Sequence, residues 1–289
     1  MALDYSIVKD WPFEDIAHAY GWKDSALYAL SLGMGGDLAE IRELSYVYEQ
    51  EMRSFPTMAV VLAHPGFWVR NPATGIDWKN AIHVEQRPAL TRPLPVEGSV
   101  TARTRVRALI DKGSDKGALM VSERQLRDTR SGVLYGNVIQ VSLLRGDGGF
   151  SASGFLQDES LQPLEATPKL PPDIVCALPT APASALLYRL NGDFNPLHAD
   201  PKVAHEAGFD RPILHGLCTY GIAARAIVRT CLDGDAARLI EFSARFSSPV
   251  YPGETLRTEI WREEERIQFR CVIAERDAVV LSNGLARAN

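Results

Sequence analysis

Residues 192–198 read Gly-Asp-Phe-Asn-Pro-Leu-His, which places the carboxylate of Asp193 five positions before the imidazole of His198. Between them, Asn195 followed by Pro196 marks a turn that begins a helix, because asparagine caps helices and proline fits their first position. The run therefore predicts that both side chains lie at one bend of the chain. A carboxylate and an imidazole at one bend can share a water molecule, one group accepting a proton while the other donates one.

A second signal follows at Pro212-Ile213-Leu214-His215-Gly216. Behind it, apolar residues recur at helical spacing, which predicts a helix over residues 216–231. The first N–H groups of a helix have no partner within the helix, and they lie at the positive end of its dipole. Gly216 is therefore the candidate donor to an oxyanion, since glycine also permits a ligand to approach the backbone closely. His215 is expected to have a structural role.

The C-terminal half predicts one long helix with a meander of antiparallel strands around it. Strand-like runs, separated by turn residues such as Pro252-Gly253 and Arg276-Asp277, cover residues 239–247, 254–262, 267–275 and 278–286. A short helix is also expected from Asp200-Pro201 to Gly208. A sheet wrapped on one central helix is the hotdog arrangement, which belongs to the α+β class.

The N-terminal half repeats this pattern. Pro93 and Pro249 each precede a strand-like run, and they are 249 − 93 = 156 residues apart, about half the chain. Further runs cover residues 99–110, 117–126 and 133–144, and a helix is predicted over residues 24–34. Prolines and Gly66 break residues 54–68, so the central helix of this half should be shortened or broken. We expect two tandem hotdog domains, residues 1–154 and residues 183–289, joined by a linker over residues 155–182.

Composition narrows the class of protein. The formal net charge of −5 argues against nucleic-acid binding, and hydrophobic residues at 46% supply a core. No apolar run approaches the length of about 18 residues that a membrane helix needs. The N-terminus lacks a signal-peptide pattern and the C-terminus does not read Ser-Lys-Leu, so we expect a cytoplasmic protein without a membrane partner.

Cysteine and histidine residues offer two alternative chemistries, an activated thiol and a zinc site. The four cysteines form no Cys-x-x-Cys pair and are expected to be reduced, buried thiols, although Cys218 near a helix start could be activated. His198, His205 and His215 could supply imidazoles to zinc, but their spacing is not compact. We therefore expect no metal site, and we expect His205 on a helix surface.

Residues 188–226 resemble the R-specific enoyl-CoA hydratase family, also called hydratase 2 or MaoC-like. The family signature is Gly-Asp-x-Asn-Pro-x-His followed by His-Gly-x, and the likeness extends over nearly the whole chain, including Arg245-Phe246 and residues 249–253. This resemblance implies reversible hydration of trans-2-enoyl-CoA to (3R)-3-hydroxyacyl-CoA, as in fatty-acid β-oxidation. It also implies a homodimer, an acyl tail housed in the N-terminal half, and no cofactor, since CoA is part of the substrate.

The resemblance assigns roles to two sets of residues. The catalytic set is Asp193, Asn195, His198 and Gly216. The substrate-binding set is His83, Lys112, Phe194, Asn195, Pro196, Leu197 and Phe246. Val84 follows His83 where the family often has glycine, which departs from the family pattern. An imidazole with a near-neutral pKa suits a base, but which of Asp193 and His198 is acid and which is base stays open.

Two other functions compete with this hypothesis. One is an enzyme of the same fold that acts on acyl-carrier protein or on an unusual thioester, branched or dicarboxylic. The other, from a different class, is a non-catalytic module that binds acyl-CoA. An intact pair of Asp193 and His198 favours catalysis, and assay with crotonyl-CoA separates the two classes. A thioesterase is disfavoured because the pair suits addition across a double bond. Acyl chain length stays open.

Overall fold

The computed structural model describes residues 3–37, 39–151 and 157–289. Within them the chain forms two compact units that interleave along the sequence. The first unit contains residues up to 18, 62–89 and 99–163, and the second contains residues 19–61, 90–98 and 164–289. The predicted boundary between residues 154 and 155 lies outside the described residues, and the predicted domain limits stay a prediction.

The first unit is built on an antiparallel sheet in the order β1-β3-β4-β5-β2. The bounds of its strands are β1 (Ile16–Tyr20), β2 (Ala81–Leu90), β3 (Gly98–Asp111), β4 (Ala118–Asp128) and β5 (Leu134–Leu144). The three strands predicted in this half are confirmed as β3, β4 and β5. β1 and β2 were not predicted, since β1 has only five residues and Pro88 and charged side chains interrupt the apolar alternation of β2.

No long helix covers the sheet of the first unit within its described residues. The unit has the short helix α1 (Tyr5–Lys9) and three 3-10 helices, Trp68–Arg70, Pro72–Thr74 and Trp78–Asn80. A further 3-10 helix, Pro56–Val60, falls in the second unit. The prediction of a broken central helix in the N-terminal half is thus confirmed, because the prolines at positions 56, 65 and 72 prevent a continuous helix.

The second unit has the complete hotdog arrangement. Its sheet has the order β7-β10-β9-β8-β6. Its strands are β6 (Ile174–Pro179), β7 (Leu239–Phe246), β8 (Thr255–Glu263), β9 (Arg266–Ile273) and β10 (Ala278–Ala288). Its helices are α2 (Trp22–Ser31), α3 (Ile41–Leu44), α4 (Ser184–Tyr188), α5 (Pro201–Glu206) and α6 (Gly216–Cys231). The predicted helix over residues 216–231 and the four predicted strands are confirmed close to their expected bounds.

The central helix α6 packs closely because it carries small residues. A Cβ atom at Gly221 would lie 2.5 Å from Leu32 Cδ2, so only glycine allows this approach at the end of α2. The Tyr220 hydroxyl donates to the Phe242 carbonyl of β7. Phe242 in turn stacks on Phe269 of β9 at 4.8 Å between ring centroids. These contacts join helix and sheet into one core.

One buried ion pair interrupts that apolar core. The Arg225 guanidinium of α6 donates to both carboxylate oxygens of Glu43, each at 2.7 Å, and to the Leu32 carbonyl. Both charged side chains are buried. Removing either charge would leave the other uncompensated away from water.

The segment predicted as a linker contains a strand. Ile174–Pro179 forms β6, which pairs antiparallel with β8. Cys176 and Leu178 face the core while their neighbours are more exposed. This alternation covers only six residues at a sheet edge and ends in proline, so it did not stand out in a segment rich in proline and alanine. Every helix in the described part of the chain is too short or too polar to span a membrane.

Candidate active site

The polar bend forms as predicted. Pro196–His198 is one turn of 3-10 helix, and Asn195 caps it because its Oδ1 accepts from the Leu197 backbone N–H at 3.1 Å. The Asn195 backbone N–H donates to Asp193 Oδ1 at 3.1 Å. The asparagine side chain is therefore occupied in capping, while its backbone orients the carboxylate. Both hydrogen bonds hold Asp193 and His198 at the same bend.

A backbone carbonyl fixes the tautomer of His198. Its Nδ1 lies 2.8 Å from the Ile213 carbonyl oxygen, which can only accept, so Nδ1 carries the proton and Nε2 keeps its lone pair. Burial lowers the pKa of His198, although the Ile213 carbonyl and the Asp193 carboxylate oppose this shift. His198 is thus a neutral imidazole at neutral pH with Nε2 available to accept a proton.

His215 packs against both His198 and Asp193. Its ring stacks on His198 with centroids 3.8 Å apart, and its Nε2 lies 3.2 Å from the Asp193 carbonyl. The ring of Tyr188, which is fully buried, lies 5.1 Å from His215 on centroids. Burial and the neighbouring His198 both lower the pKa of His215, so it too is neutral. These contacts fit the structural role expected for His215.

The beginning of α6 brings a backbone donor to the same place. Gly216 is the first residue of the helix, and its N-cap, His215, makes no side-chain capping hydrogen bond. A Cβ atom at Gly216 would lie 3.2 Å from Phe246 Cε1 and 3.3 Å from Cδ1. Glycine therefore lets the Phe246 ring lie directly against the start of the helix. Two residues from distant parts of the sequence, both predicted for the site, are in contact.

The remaining predicted residues fall into two groups. In the second unit, Phe194 is 60% exposed with the Arg189 guanidinium 5.2 Å from its ring centroid, Leu197 is partly buried, and Pro196 occupies the first position of the 3-10 turn. In the first unit, His83 on β2 lies with Nε2 3.1 Å from the Glu85 carbonyl. Lys112 is exposed in the turn that follows β3.

The structure bears on two alternative chemistries, a metal site and an activated cysteine thiol. Within the described residues, one group of potential metal ligands has its donor atoms within 4.8 Å of one another, namely Asp193, His198 and His215. Two of these, Asp193 and His198, are the proposed proton-transfer groups and the third packs on His198, whereas His205 is exposed on α5. All four cysteines are buried, and burial raises the pKa of the Cys218 thiol, so the idea of an activated thiol is wrong.

Sequence reasoning missed the Ile213 carbonyl and the Tyr188 ring. Ile213 acts through its backbone, which leaves no trace in residue identity. Tyr188 lies four positions before the motif, and its neighbours in the sequence do not indicate the contact with His215.

Comparison with known proteins identifies the family. The MaoC like domain model matches residues 163–283, and the MFE-2 hydratase 2 N-terminal domain model matches residues 18–146. An enoyl-CoA hydratase of Mycobacterium tuberculosis is 38% identical, over 99% of this chain and 98% of its own. The chain belongs to the MaoC-like hydratase 2 family. The resemblance inferred from residues 188–226 is therefore confirmed.

Other members of the MaoC-like hydratase 2 family match both halves of the chain. The peroxisomal enoyl-CoA hydratase 2 of Arabidopsis thaliana is 37% identical over 92% of this chain and 89% of its own. The crystal structure of a MaoC-like dehydratase from Phytophthora capsici is 32% identical, has a TM-score of 0.86 and covers 99% of each chain. These matches confirm the α+β double-hotdog class expected for this family member.

Proposed function

We propose that the protein catalyses the reversible hydration of trans-2-enoyl-CoA to (3R)-3-hydroxyacyl-CoA. Membership of the MaoC-like hydratase 2 family supports this, as do relatives named enoyl-CoA hydratase in Mycobacterium tuberculosis and Arabidopsis thaliana. The single observation that carries the mechanism is the His198 tautomer. With Nδ1 held by the Ile213 carbonyl at 2.8 Å, Nε2 has to be the basic nitrogen.

His198 acts as the base for water. An enoyl thioester is electrophilic at its β carbon, so the oxygen of water attacks there while Nε2 accepts one of its protons. Because the imidazole is neutral and buried, it is already in the form that accepts a proton at neutral pH. General-base catalysis of this kind contributes roughly 10²–10⁴ in rate.

Asp193 completes the addition. Its carboxylate holds the same water, receives the proton that His198 has accepted, and returns that proton to the α carbon. One hydroxyl is thus added to the β carbon and one proton to the α carbon, and the pair ends the cycle in its starting state. Asn195 is a positioning residue, because its backbone N–H holds Asp193 Oδ1 and its side chain caps the turn.

The start of α6 stabilises the charge that develops on the thioester oxygen. The Gly216 N–H is free of a side-chain cap and sits at the positive end of a 16-residue helix. One such donor contributes roughly 10²–10³ in kcat. Phe246, in contact with Gly216, forms a wall against which the thioester or pantetheine can pack.

The enoyl-CoA and water are the only small molecules in this scheme. Hydration involves no net oxidation or reduction, so CoA enters as part of the substrate and no separate cofactor takes part. The N-terminal half, 1–154, binds the acyl tail, and the C-terminal half, 183–289, carries the chemistry. Lys112 pairs with a CoA phosphate through its exposed ammonium group, and His83 contributes a further contact.

Two properties of the whole protein complete the proposal. We expect a homodimer, which sedimentation equilibrium tests directly. We also expect a cytoplasmic location without nucleic-acid or membrane partners. Because the Arabidopsis relative is named as peroxisomal, imaging of the tagged full chain is the appropriate test of location.

The deciding experiment follows the absorbance of the conjugated thioester during hydration of crotonyl-CoA, with chiral analysis of the product. The proposed function predicts turnover to the (3R) alcohol. Faster turnover of the same acyl group on acyl-carrier protein would support that alternative substrate. Binding of crotonyl-CoA without turnover would instead identify an acyl-CoA-binding module.

A further inference from the structure

The first unit contains a cavity of about 120 Å³. Residues 64–69 and the beginning of β2 form one wall, and one face of β3, β4 and β5 forms the other. In a complete hotdog a central helix would cover that sheet face, but here the 3-10 segments leave space. The cavity is large enough for several water molecules or for the end of an acyl chain.

The sheet wall of this cavity carries five polar side chains beside the apolar side chains of Met120 and Val138. The polar ones come from Thr104 on β3, from Ser122 and Arg124 on β4, and from Gln140 and Ser142 on β5. The strand register places Thr104 opposite Arg124 and Ser122 opposite Gln140. Residues two apart on a strand point to the same side, so these groups form one continuous surface.

Two of these groups are deeply buried. Arg124 and Thr104 are each only 6% exposed. Burial lowers the pKa of Arg124 to about 10, so its guanidinium stays cationic at neutral pH. The Thr104 hydroxyl is buried without a hydrogen-bond partner in the described part of the chain. Buried polar groups usually have a partner, so this hydroxyl is one that a ligand can satisfy.

A purely hydrocarbon tail fits the polar part of this wall poorly. It would cover three hydroxyl groups and an amide without offering any of them a hydrogen bond, which is unfavourable. A carboxylate supplies two acceptor oxygens, which match a guanidinium and neighbouring hydroxyl donors. The opposite wall, with Phe67, Trp68 and Val69, can still pack against the methylene groups that precede such an end.

We propose that this cavity binds the far end of the acyl group and that this end carries a carboxylate, so that the preferred substrates are enoyl thioesters of dicarboxylic acids. The inference rests on the proposed function and specifies its substrate class. Arg124 is the specificity-determining residue, and Thr104, Ser122 and Ser142 add hydroxyl contacts.

The test uses a trans-2-enoyl-CoA series of increasing length, each length made with a methyl end and with a carboxylate end. For the wild type we expect kcat/KM to rise with length in the carboxylate series and to exceed the methyl series about tenfold or more at medium length. Crotonyl-CoA, whose acyl group has only four carbons, provides the reference for hydration itself.

The variant Arg124→Met keeps a long side chain without its charge. It should bring kcat/KM for the carboxylate-ended substrates down to about that for the methyl-ended ones, mainly by raising KM, so that their ratio is about one. The turnover of crotonyl-CoA should stay within about twofold of the wild-type value. Arg107→Met is the matched control, because Arg107 is an exposed arginine on β3 outside the cavity lining. It should leave the ratio unchanged.

If Arg124→Met does not fold, the wild-type series and Thr104→Val decide. Thr104→Val removes one buried hydroxyl at nearly constant shape and should lower the ratio several-fold. A wild-type ratio near or below one, with crotonyl-CoA hydrated normally, would overturn this inference and leave the proposed function intact. Equal preference for a hydroxyl-ended tail would also overturn the carboxylate assignment. Absence of any hydration would overturn both.

Discussion

Replacing Gly216 by alanine tests the contact between the helix start and Phe246. The added methyl group would lie 3.2 Å from Phe246 Cε1, closer than an ordinary van der Waals contact, so the ring has to move by a few tenths of an ångström. The same methyl group would stand beside the N–H proposed to face the thioester oxygen. We expect kcat to fall by up to about 10²–10³, the effect of losing one oxyanion donor.

The expected loss of stability in Gly216→Ala is small. Overpacking costs typically 1–3 kcal/mol, and this contact lies at the mild end of that range because an aromatic ring at the site can shift. Gly221→Ala is the matched control on the same helix, since its Cβ would lie 2.5 Å from Leu32 Cδ2 and outside the proposed site. We expect that control to lose more stability yet keep kcat near wild type.

The assay combines hydration kinetics with crotonyl-CoA and unfolding in urea for both variants. Low kcat with near-normal stability in Gly216→Ala, and the opposite pattern in Gly221→Ala, would support the role of the helix start. Near wild-type kcat in a folded Gly216→Ala protein would refute the proposal that this N–H stabilises the oxyanion. So would an equal loss of kcat in both variants.

Three further results are expected. Asp193→Asn and His198→Ala should each lower kcat far more than they raise KM, and the double variant should lose little more, which steady-state kinetics measures. Burial lowers the pKa of His198 and His215, so below about pH 6.5 the unfolded chain binds more protons than the folded protein does. The urea concentration at the midpoint of unfolding should therefore fall as the pH drops through that range. Glu43→Leu should cost about 3–5 kcal/mol of unfolding free energy with kcat kept, and adding Arg225→Met should recover most of it.

The catalytic bend and α6 were predictable because their signals are local. Asn195 and Pro196 determine the turn through capping and a fixed backbone angle, and small and apolar residues at helical spacing mark α6. The broken helix of the N-terminal half followed from prolines for the same reason. In each case the residues that decide the structure are neighbours in sequence.

The features that escaped prediction depend on residues far apart in the chain. The edge strand β6 is defined by its pairing with β8 rather than by its own composition. The His198 tautomer depends on a carbonyl 15 residues away. The polar cavity wall arises only when β3, β4 and β5 pair in register, and the buried pair of Glu43 and Arg225 joins residues 182 positions apart. Periodicity and turn chemistry hold no information on such contacts.

The most direct test of the central claim is the stereochemistry of crotonyl-CoA hydration by the wild-type protein. We expect measurable turnover with (3R)-3-hydroxybutyryl-CoA as the product, formed by water held between Asp193 and His198. Binding without turnover, or formation of the (3S) alcohol, would contradict the proposed reaction at this site.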